Sequence, residues 1–333
     1  MIKSYDIFDT IIGRLCYEGK SIFKIIEKQS NLPNFAKNRI IYESKTKDFN
    51  ETYKLLENHY NINMDNIKEL ELAIEYDLSF PIVKYLDEIK ENDILISDMY
   101  LNERQIKTLL NKHKQMSNKL YLSYSGKLDN TIWKNNSITK DIICHYGDNI
   151  QSDYNNPKKC NINAYHINDT KLNKNEEKMS TININIAYII RAVRLSYNTK
   201  EPLWKYFNEY SLIFAILVCL KIKQLTYINN IKSIVFLSRD GYWFKEIYDI
   251  IYPSDNTYYI YFSRLYVKNN RDRIINEINS INGSKFIFDL QGSGRTFNSL
   301  NISNCFYFMC FLSHDSTLTE YLYNHSNEVS NIN

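Results

Sequence analysis

The chain of 333 residues has no marked excess of charge: 41 Lys and Arg stand against 38 Asp and Glu, a formal net charge of +3. Nucleic-acid binders show a larger or more clustered basic excess, so that class is not expected. Paired cysteines are also missing. Cys16, Cys144, Cys160, Cys219, Cys305 and Cys310 show neither CxxC spacing nor a secreted-scaffold pattern, which fits thiols in a reducing cytoplasm. The opening "MIKSYDIF" lacks the apolar stretch of a signal peptide. The longest apolar run, "LIFAILVCL" (Leu212–Leu220), is nine residues and is followed by Lys221 and Lys223. A membrane span needs about 20, so this run reads as a core helix. No span is expected, and the expected compartment is the cytoplasm. Glycine (8) and proline (5) are scarce beside 28 Tyr and 16 Phe. Asn, Ile, Lys and Tyr dominate, as in an AT-rich genome, and that bias says little about function.

With 44% hydrophobic and 24% charged residues, the chain reads as globular and long enough for two domains. "KSYDIFDTII" predicts a first strand and its exit loop. From about residue 21 to 90, "SIFKIIEKQ", "NIKELELAIEYDLSF" and "PIVKYLDEIK" carry apolar residues at helical spacing, with Pro81 in the first turn of the last. "DILISDMY", "KLYLSYS", "DIICHYGDN" and "NAYHIN" predict further strands, and "NERQIKTLLNKH" a helix capped by Asn102. Strands alternating with helices imply a parallel sheet, whose ligands bind at the carboxyl ends of its strands. The expected fold class is therefore α/β: a Rossmann-like parallel sheet over 1–170 with a helical insertion at about 15–90. A polar linker over 171–183 and a second α/β domain over 184–333 follow. In that second block "SIVFLS", "YYIYFS", "KFIFDL" and "FYFMCFL" are the expected strands. No short-period repeat is present.

The strand ends carry acids and hydroxyls: Asp6 and Asp9, Ser97 and Asp98, then Asp148 with Asp153 in "GDNIQSD". A buried carboxylate is costly unless it is paired, hydrogen-bonded or metal-bound. A carboxylate attacking a phosphate needs a cation to offset charge, a hydroxyl and a lysine for the phosphoryl oxygens, and further acids for the metal. Asp6, Ser97, Lys127, Asp148 and Asp153 supply these in order, with Lys134 the rival lysine. Three carboxylates and one main-chain carbonyl would suit Mg²⁺. The plainer alternatives are an Asx turn or cap at Asp9-Thr10, a strand-to-helix turn at Ser97-Asp98 and a solvated loop at Asp148–Asp153. His113 and His145 read as ordinary polar residues, since no second histidine stands at metal spacing.

This order of motifs resembles the haloacid dehalogenase superfamily of phosphohydrolases. "YDIFDT" is similar to its first motif, "ILISDMYL" to its second, "SYSGKLDNTIW" to its lysine region and "HYGDNIQSD" to its acidic fourth motif. The resemblance covers roughly residues 3–167, with 15–90 in the place of the mobile cap that usually sets substrate choice. It implies Asp6 as a nucleophile forming an aspartyl-phosphate, Ser97 and Lys127 on the phosphoryl group, and Thr10 and Asp98 beside the substrate. Asp6, Asp148, Asp153 and the Phe8 carbonyl would hold Mg²⁺. One position departs from the pattern. Family phosphatases carry a second Asp two residues after the nucleophile as general acid; here Phe8 stands there with Asp9 one place later, so that Asp9, a residue of the cap or water would supply the proton. General acid catalysis contributes about 10²–10⁴-fold. Relatives that cleave carbon–halogen or phosphorus–carbon bonds also lack that Asp, but the halide-cleaving branch needs no Mg²⁺, and here the metal acids remain.

In the second half, "SIVFLSRDGYWF" and "KFIFDLQGSGRTF" each join an apolar strand to a polar loop with Gly and a helix start, a design suited to anions. "FIFDLQGSGRT" is similar to the ribose-phosphate loop of type I phosphoribosyltransferases. That resemblance implies substrate contacts from Asp289, Gly292, Ser293, Gly294 and Thr296, although Leu290 replaces the family's second acid. Arg239-Asp240-Gly241 reads equally as a tight turn. The two-block arrangement also resembles bacterial proteins associated with surface-polysaccharide genes, which makes glycan-biosynthesis enzymes the expected partners. The expected function is Mg²⁺-dependent hydrolysis of a small phosphomonoester, such as a sugar or polyol phosphate. The alternatives are a binding protein without turnover and a bifunctional protein with a C-terminal transferase.

Overall fold

A computed structural model describes residues 2–16, 18–197 and 201–312. The chain divides into two compact units, Met1–Tyr210 and Ser211–Asn333. The division falls after the stretch expected to be a linker: within 171–183 the chain forms a helix, Lys174–Ile182, with a capping box at Asn173 and Glu176. This helix and the next, Ile184–Leu195, belong to the first unit. Polarity misled here, because a surface helix is polar on most of its circumference. Of the domain expected over 184–333, residues 198–200 and 313–333 lie outside the described residues.

The first unit contains the strands β1 (Ile2–Tyr5), β2 (Ile12–Arg14), β3 (Ser79–Pro81), β4 (Ile94–Asp98), β5 (Lys119–Ser123), β6 (Ile142–Gly147) and β7 (Asn163–His166). Five of them form a parallel sheet in the order β5-β4-β1-β6-β7. The interior strands are near-continuous apolar runs because helices cover both faces of such a sheet; Ile94, Leu95 and Ile96 in β4 are all buried. With β1 between β4 and β6, the exit loops of those three strands share one edge.

β2 and β3 form a separate antiparallel pair, with Gly13 opposite Phe80. A Cβ on Gly13 would sit 2.3 Å from the Phe80 ring, so only glycine permits this approach. Between the two strands the chain makes four helices, Ser21–Ser30, Phe35–Thr46, Phe49–Tyr60 and Asp65–Leu78. The helical insertion thus enters through β2 and leaves through β3. Pro81 closes β3 instead of opening a helix, and only Val83–Leu86 is helical after it. Asn102 caps Glu103–His113 through a capping box, as its sequence predicts.

The second unit holds β8 (Ser233–Leu237), β9 (Asn256–Ile260), β10 (Lys285–Gly292) and β11 (Cys305–Leu312), parallel in the order β11-β10-β8-β9. Val235, Phe236, Ile287 and Phe288 are fully buried at its centre. β10 runs on through Gln291 and Gly292, two residues beyond the expected end of the strand at Leu290. The apolar run over 212–220 lies in the helix Leu212–Ile228, with Ala215, Ile216, Val218, Cys219 and Ile222 buried. The helical run Pro202–Ile228 reaches 27 residues, which by length and composition alone could cross a membrane, and 33% of its most apolar window is buried.

Candidate functional site

Asp6 follows β1, Asp148 follows β6, and Asp153 sits in the helical turn Ile150–Asn155 that comes next. One carboxylate oxygen from each lies within 4.8 Å of the other two. Lys127, from the loop after β5, places Nζ 2.7 Å from Asp153 Oδ1 and 2.7 Å from Asp6 Oδ1. Only the Asp153 contact has hydrogen-bond geometry, so Asp6 Oδ1 is buried and met by charge alone. The Asp6 amide donates to the Tyr146 carbonyl at 2.8 Å, locking the exit of β1 to β6. Gly147 is required beside this group: a Cβ there would stand 2.5 Å from Asp153 Cγ.

His145 Nε2 lies 3.3 Å from Asp153 Oδ1, and its Nδ1 lies 2.9 Å from Ser4 Oγ. The Asn149 amide donates to Asp153 Oδ2 at 3.1 Å. His145 is therefore a positioning group for Asp153 and not the ordinary polar residue expected. A polar residue two places before Gly147, inside an otherwise apolar strand, is the one signal in the sequence that could have found it.

Charge in this pocket is unbalanced. Three carboxylates face one ammonium, and burial holds the His145 imidazole below its usual pKa, which favours its neutral form. Burial pushes Asp6 up to about 6, with the Lys127 charge opposing it and repulsion from Asp153 adding to it. Burial and the charges of Asp6, Asp9 and Asp153 push Asp148 up to about 8. Burial also opposes the charge of Asp153, yet Lys127 and His145 outweigh it and hold this carboxyl below the usual range. Desolvation works against the Lys127 ammonium, but Asp6 and Asp153 outweigh it and raise that group. With all three acids ionised the formal charge is −2. An oxygen-only donor set of this charge, with one buried oxygen lacking a hydrogen bond, fits a divalent cation. Asp6, Asp148 and Asp153 could hold a metal ion.

The Lys127 loop is held from three directions. Asp98 accepts from the Lys127 amide, from the Leu128 amide (both 3.1 Å) and from Ser123 Oγ at 2.5 Å. Trp133 Nε1 donates to the Lys127 and Ser152 carbonyls, and Asn156 Nδ2 donates to the carbonyls of Lys127 and Leu128. Asp98 was expected beside the substrate: its carboxylate is committed to main-chain amides and positions Lys127, while the residue also lines a cavity beside the site. Lys134 is exposed, so the lysine that reaches the carboxylates is Lys127. Trp133 and Asn156 have no motif to mark them, because they act through backbone carbonyls.

Ser97 ends β4 beside β1 and is buried. Thr10 is fully buried and its hydroxyl makes no hydrogen bond within the chain. The Phe8 ring packs under the Arg14 guanidinium, 3.8 Å from its centroid, and Glu75 fixes Arg14 through two contacts of 2.8 and 3.1 Å. Asp9 adopts φ +54° and pairs with Arg191 at 2.6 Å, a partner 182 residues away that spacing could not reveal. A cavity of about 640 Å³ opens beside the site, lined by Lys20, Phe23, Glu43, Asp98, Tyr100 and Tyr124 among others. A second, of about 290 Å³, joins Asp9 and Asp148 to Arg191 and Lys171.

In the second unit, Asp289, Gly292, Ser293, Gly294 and Thr296 line one cavity of about 320 Å³. The structure therefore brings the expected residues into two groups, one in each unit. No family model matches the chain, and no curated protein matches it.

Proposed function

We propose that the first unit is a Mg²⁺-dependent phosphatase of the haloacid dehalogenase superfamily, acting on a small phosphomonoester such as a sugar or polyol phosphate. The observation that carries this reading is the convergence of Asp6, Lys127, and Asp148 with Asp153 from three segments of the chain onto one largely buried cluster. With Ser97 between Asp6 and Lys127, their order along the chain is that of the four motifs. The cavity that Asp148 itself lines, of about 290 Å³, lies at the lower end of the range for a small-molecule site.

In this reading Asp6 attacks phosphorus: its oxygen forms the new P–O bond, the ester P–O bond breaks, and the leaving alcoholate takes a proton from water, Asp9 being held by Arg191. Water then hydrolyses the aspartyl-phosphate and regenerates Asp6. Lys127 neutralises charge between Asp6 and Asp153, and the Ser97 hydroxyl faces the phosphoryl group. Asp6, Asp148 and Asp153, with the Phe8 carbonyl, would hold the cation. When bound, Mg²⁺ would screen the repulsion between the attacking carboxylate and the phosphate dianion. Phosphate release from a panel of small phosphoesters, with Mg²⁺ or EDTA, tests the reading. Turnover that requires Mg²⁺ and falls to background in Asp6→Asn is expected; equal release by Asp6→Asn would reject it.

A second reading, a phosphate-binding protein without turnover, is favoured by Phe8 in the usual place of the general acid and by the pairing of Asp9 with Arg191. Binding of Mg²⁺ and a phosphate mimic without release from any ester would select it.

A further inference from the structure

We propose that the cavity at the carboxyl ends of the second sheet binds a phosphorylated small molecule without a metal ion, through Arg239, Arg264 and Arg295. The cavity is built from loops after three neighbouring strands. Ser238–Asp240 follow β8, Phe262–Arg264 follow β9, and Ser293–Thr296 follow β10; Tyr307 of β11 completes the wall. This is the edge at which open parallel sheets bind ligands.

Three arginines and two aspartates line this cavity, the reverse of the balance in the first unit. The carboxylates do little to neutralise Arg239 and Arg264. Asp289 Oδ2 accepts from Tyr307 Oη at 2.9 Å, which turns that acid toward the wall. Asp240 comes no closer than 3.9 Å to Arg239, whose side chain is 94% exposed. Arg264 is exposed and, among the described residues, makes no ion pair. Ser293 Oγ accepts from Arg295 Nε at 3.3 Å, which orients that guanidinium. Gly294, at φ +67°, turns the chain so that Ser293 and Arg295 both line the cavity.

Guanidinium groups match phosphate oxygens with paired donors, and such charge-assisted hydrogen bonds are the strong ones. The hydroxyls and the Asp240 carboxylate suit the hydroxyl groups of the esterified part. At about 320 Å³ the cavity lies near the lower end of the small-molecule range, the size of a phosphorylated monosaccharide. Among the described residues, the acidic cluster able to hold a metal is Asp6, Asp148 and Asp153. Binding here should therefore survive chelation, unlike phosphate binding at the first site.

The test is calorimetric titration of the full chain with inorganic pyrophosphate in EDTA, for wild type, Arg239→Ala/Arg264→Ala, the corresponding double Lys variant, and Asp6→Asn. Saturable binding in EDTA is expected, weakened about tenfold or more in the double Ala variant. The double Lys variant should recover part of it, and Asp6→Asn should bind like wild type. Both arginines are exposed, and unchanged circular dichroism would show that the variants fold. Absence of binding in EDTA, binding unaffected by the arginine changes, or loss in Asp6→Asn would each overturn the proposal. Asp6→Asn also separates this result from failure of the phosphatase reading, which concerns the other cluster.

Discussion

Two buried charge clusters in the first unit use similar groups to different ends. Among the inserted helices, Arg39 makes two contacts with Glu71 (2.9 and 2.8 Å) and one with Glu43 (2.9 Å), and Tyr53 donates to Glu71 at 2.7 Å. The guanidinium lies near the rings of Phe23 and Tyr100. Every charge there has a hydrogen-bonded partner supplied by the chain. Around Asp6, three carboxylates share one ammonium, and one buried oxygen has no hydrogen bond. A folding core saturates its charges, because an unpaired buried charge is costly. Around Asp6 the charges are left unsaturated at a cost in stability, in a cluster that could hold a metal ion.

The largest expected effect comes from breaking the saturated cluster. Glu71→Ala leaves Arg39 buried with its bidentate partner gone and should cost about 3–5 kcal/mol. In a unit of this size that corresponds to a fall in melting temperature of about 10 °C. Glu51→Ala removes an exposed pair with Lys54 and should change it little. Equal shifts in the two variants, measured by differential scanning calorimetry, would erase the contrast between buried and exposed pairs.

An intermediate effect should come from the unsaturated cluster. Saturating Mg²⁺ should stabilise the wild-type chain by about 2.7 kcal/mol at a hundredfold excess over its dissociation constant. Asp148→Asn should lose most of this gain and, in EDTA, melt at or above the wild-type temperature, because it removes repulsion. If Asp148→Asn in EDTA fell as far as Glu71→Ala, the two clusters would be alike, and the idea of an unsaturated site would fail.

The smallest effect belongs to a histidine at the base of the inserted helices. His113 Nε2 lies 3.0 Å from Ser79 Oγ, while Lys112 donates to the carbonyls of Tyr76 and Ser79. Burial, then the Lys112 charge, pushes His113 down to about 4. Its folded pKa is depressed, so the stability it contributes is fully present above the ordinary value of about 6.5. That stability is lost as pH falls toward 4, because the unfolded chain takes up the proton first. Melting curves between pH 7 and 4 should therefore fall less steeply for His113→Asn than for wild type. Superimposable slopes would show that His113 does not link protonation to folding. The effect is small because the ring is half-buried and solvent screens it.

Much of the fold was legible along the chain. The nine described strands of the two parallel sheets fall in runs such as "DILISDMY" and "KFIFDL", because interior strands covered on both faces are near-continuously apolar. The two short strands that frame the inserted helices were not legible. Three residues each carry no period, and Pro81 pointed to a helix start. The helix at Lys174–Ile182 was hidden by its polarity.

The amino-acid sequence by itself determined the α/β class, the strand ends and the order in which Asp6, Ser97, Lys127, Asp148 and Asp153 appear. Those follow from local hydrophobic pattern and from residue chemistry. Only the tertiary structure decided that Lys127 and not Lys134 meets the carboxylates, that Asp98 holds a loop, and that Asp9 pairs with Arg191. It also gathered three arginines from separate loops into one cavity. Such pairings depend on distances between residues far apart in the chain, and those distances are set by how strands and helices pack.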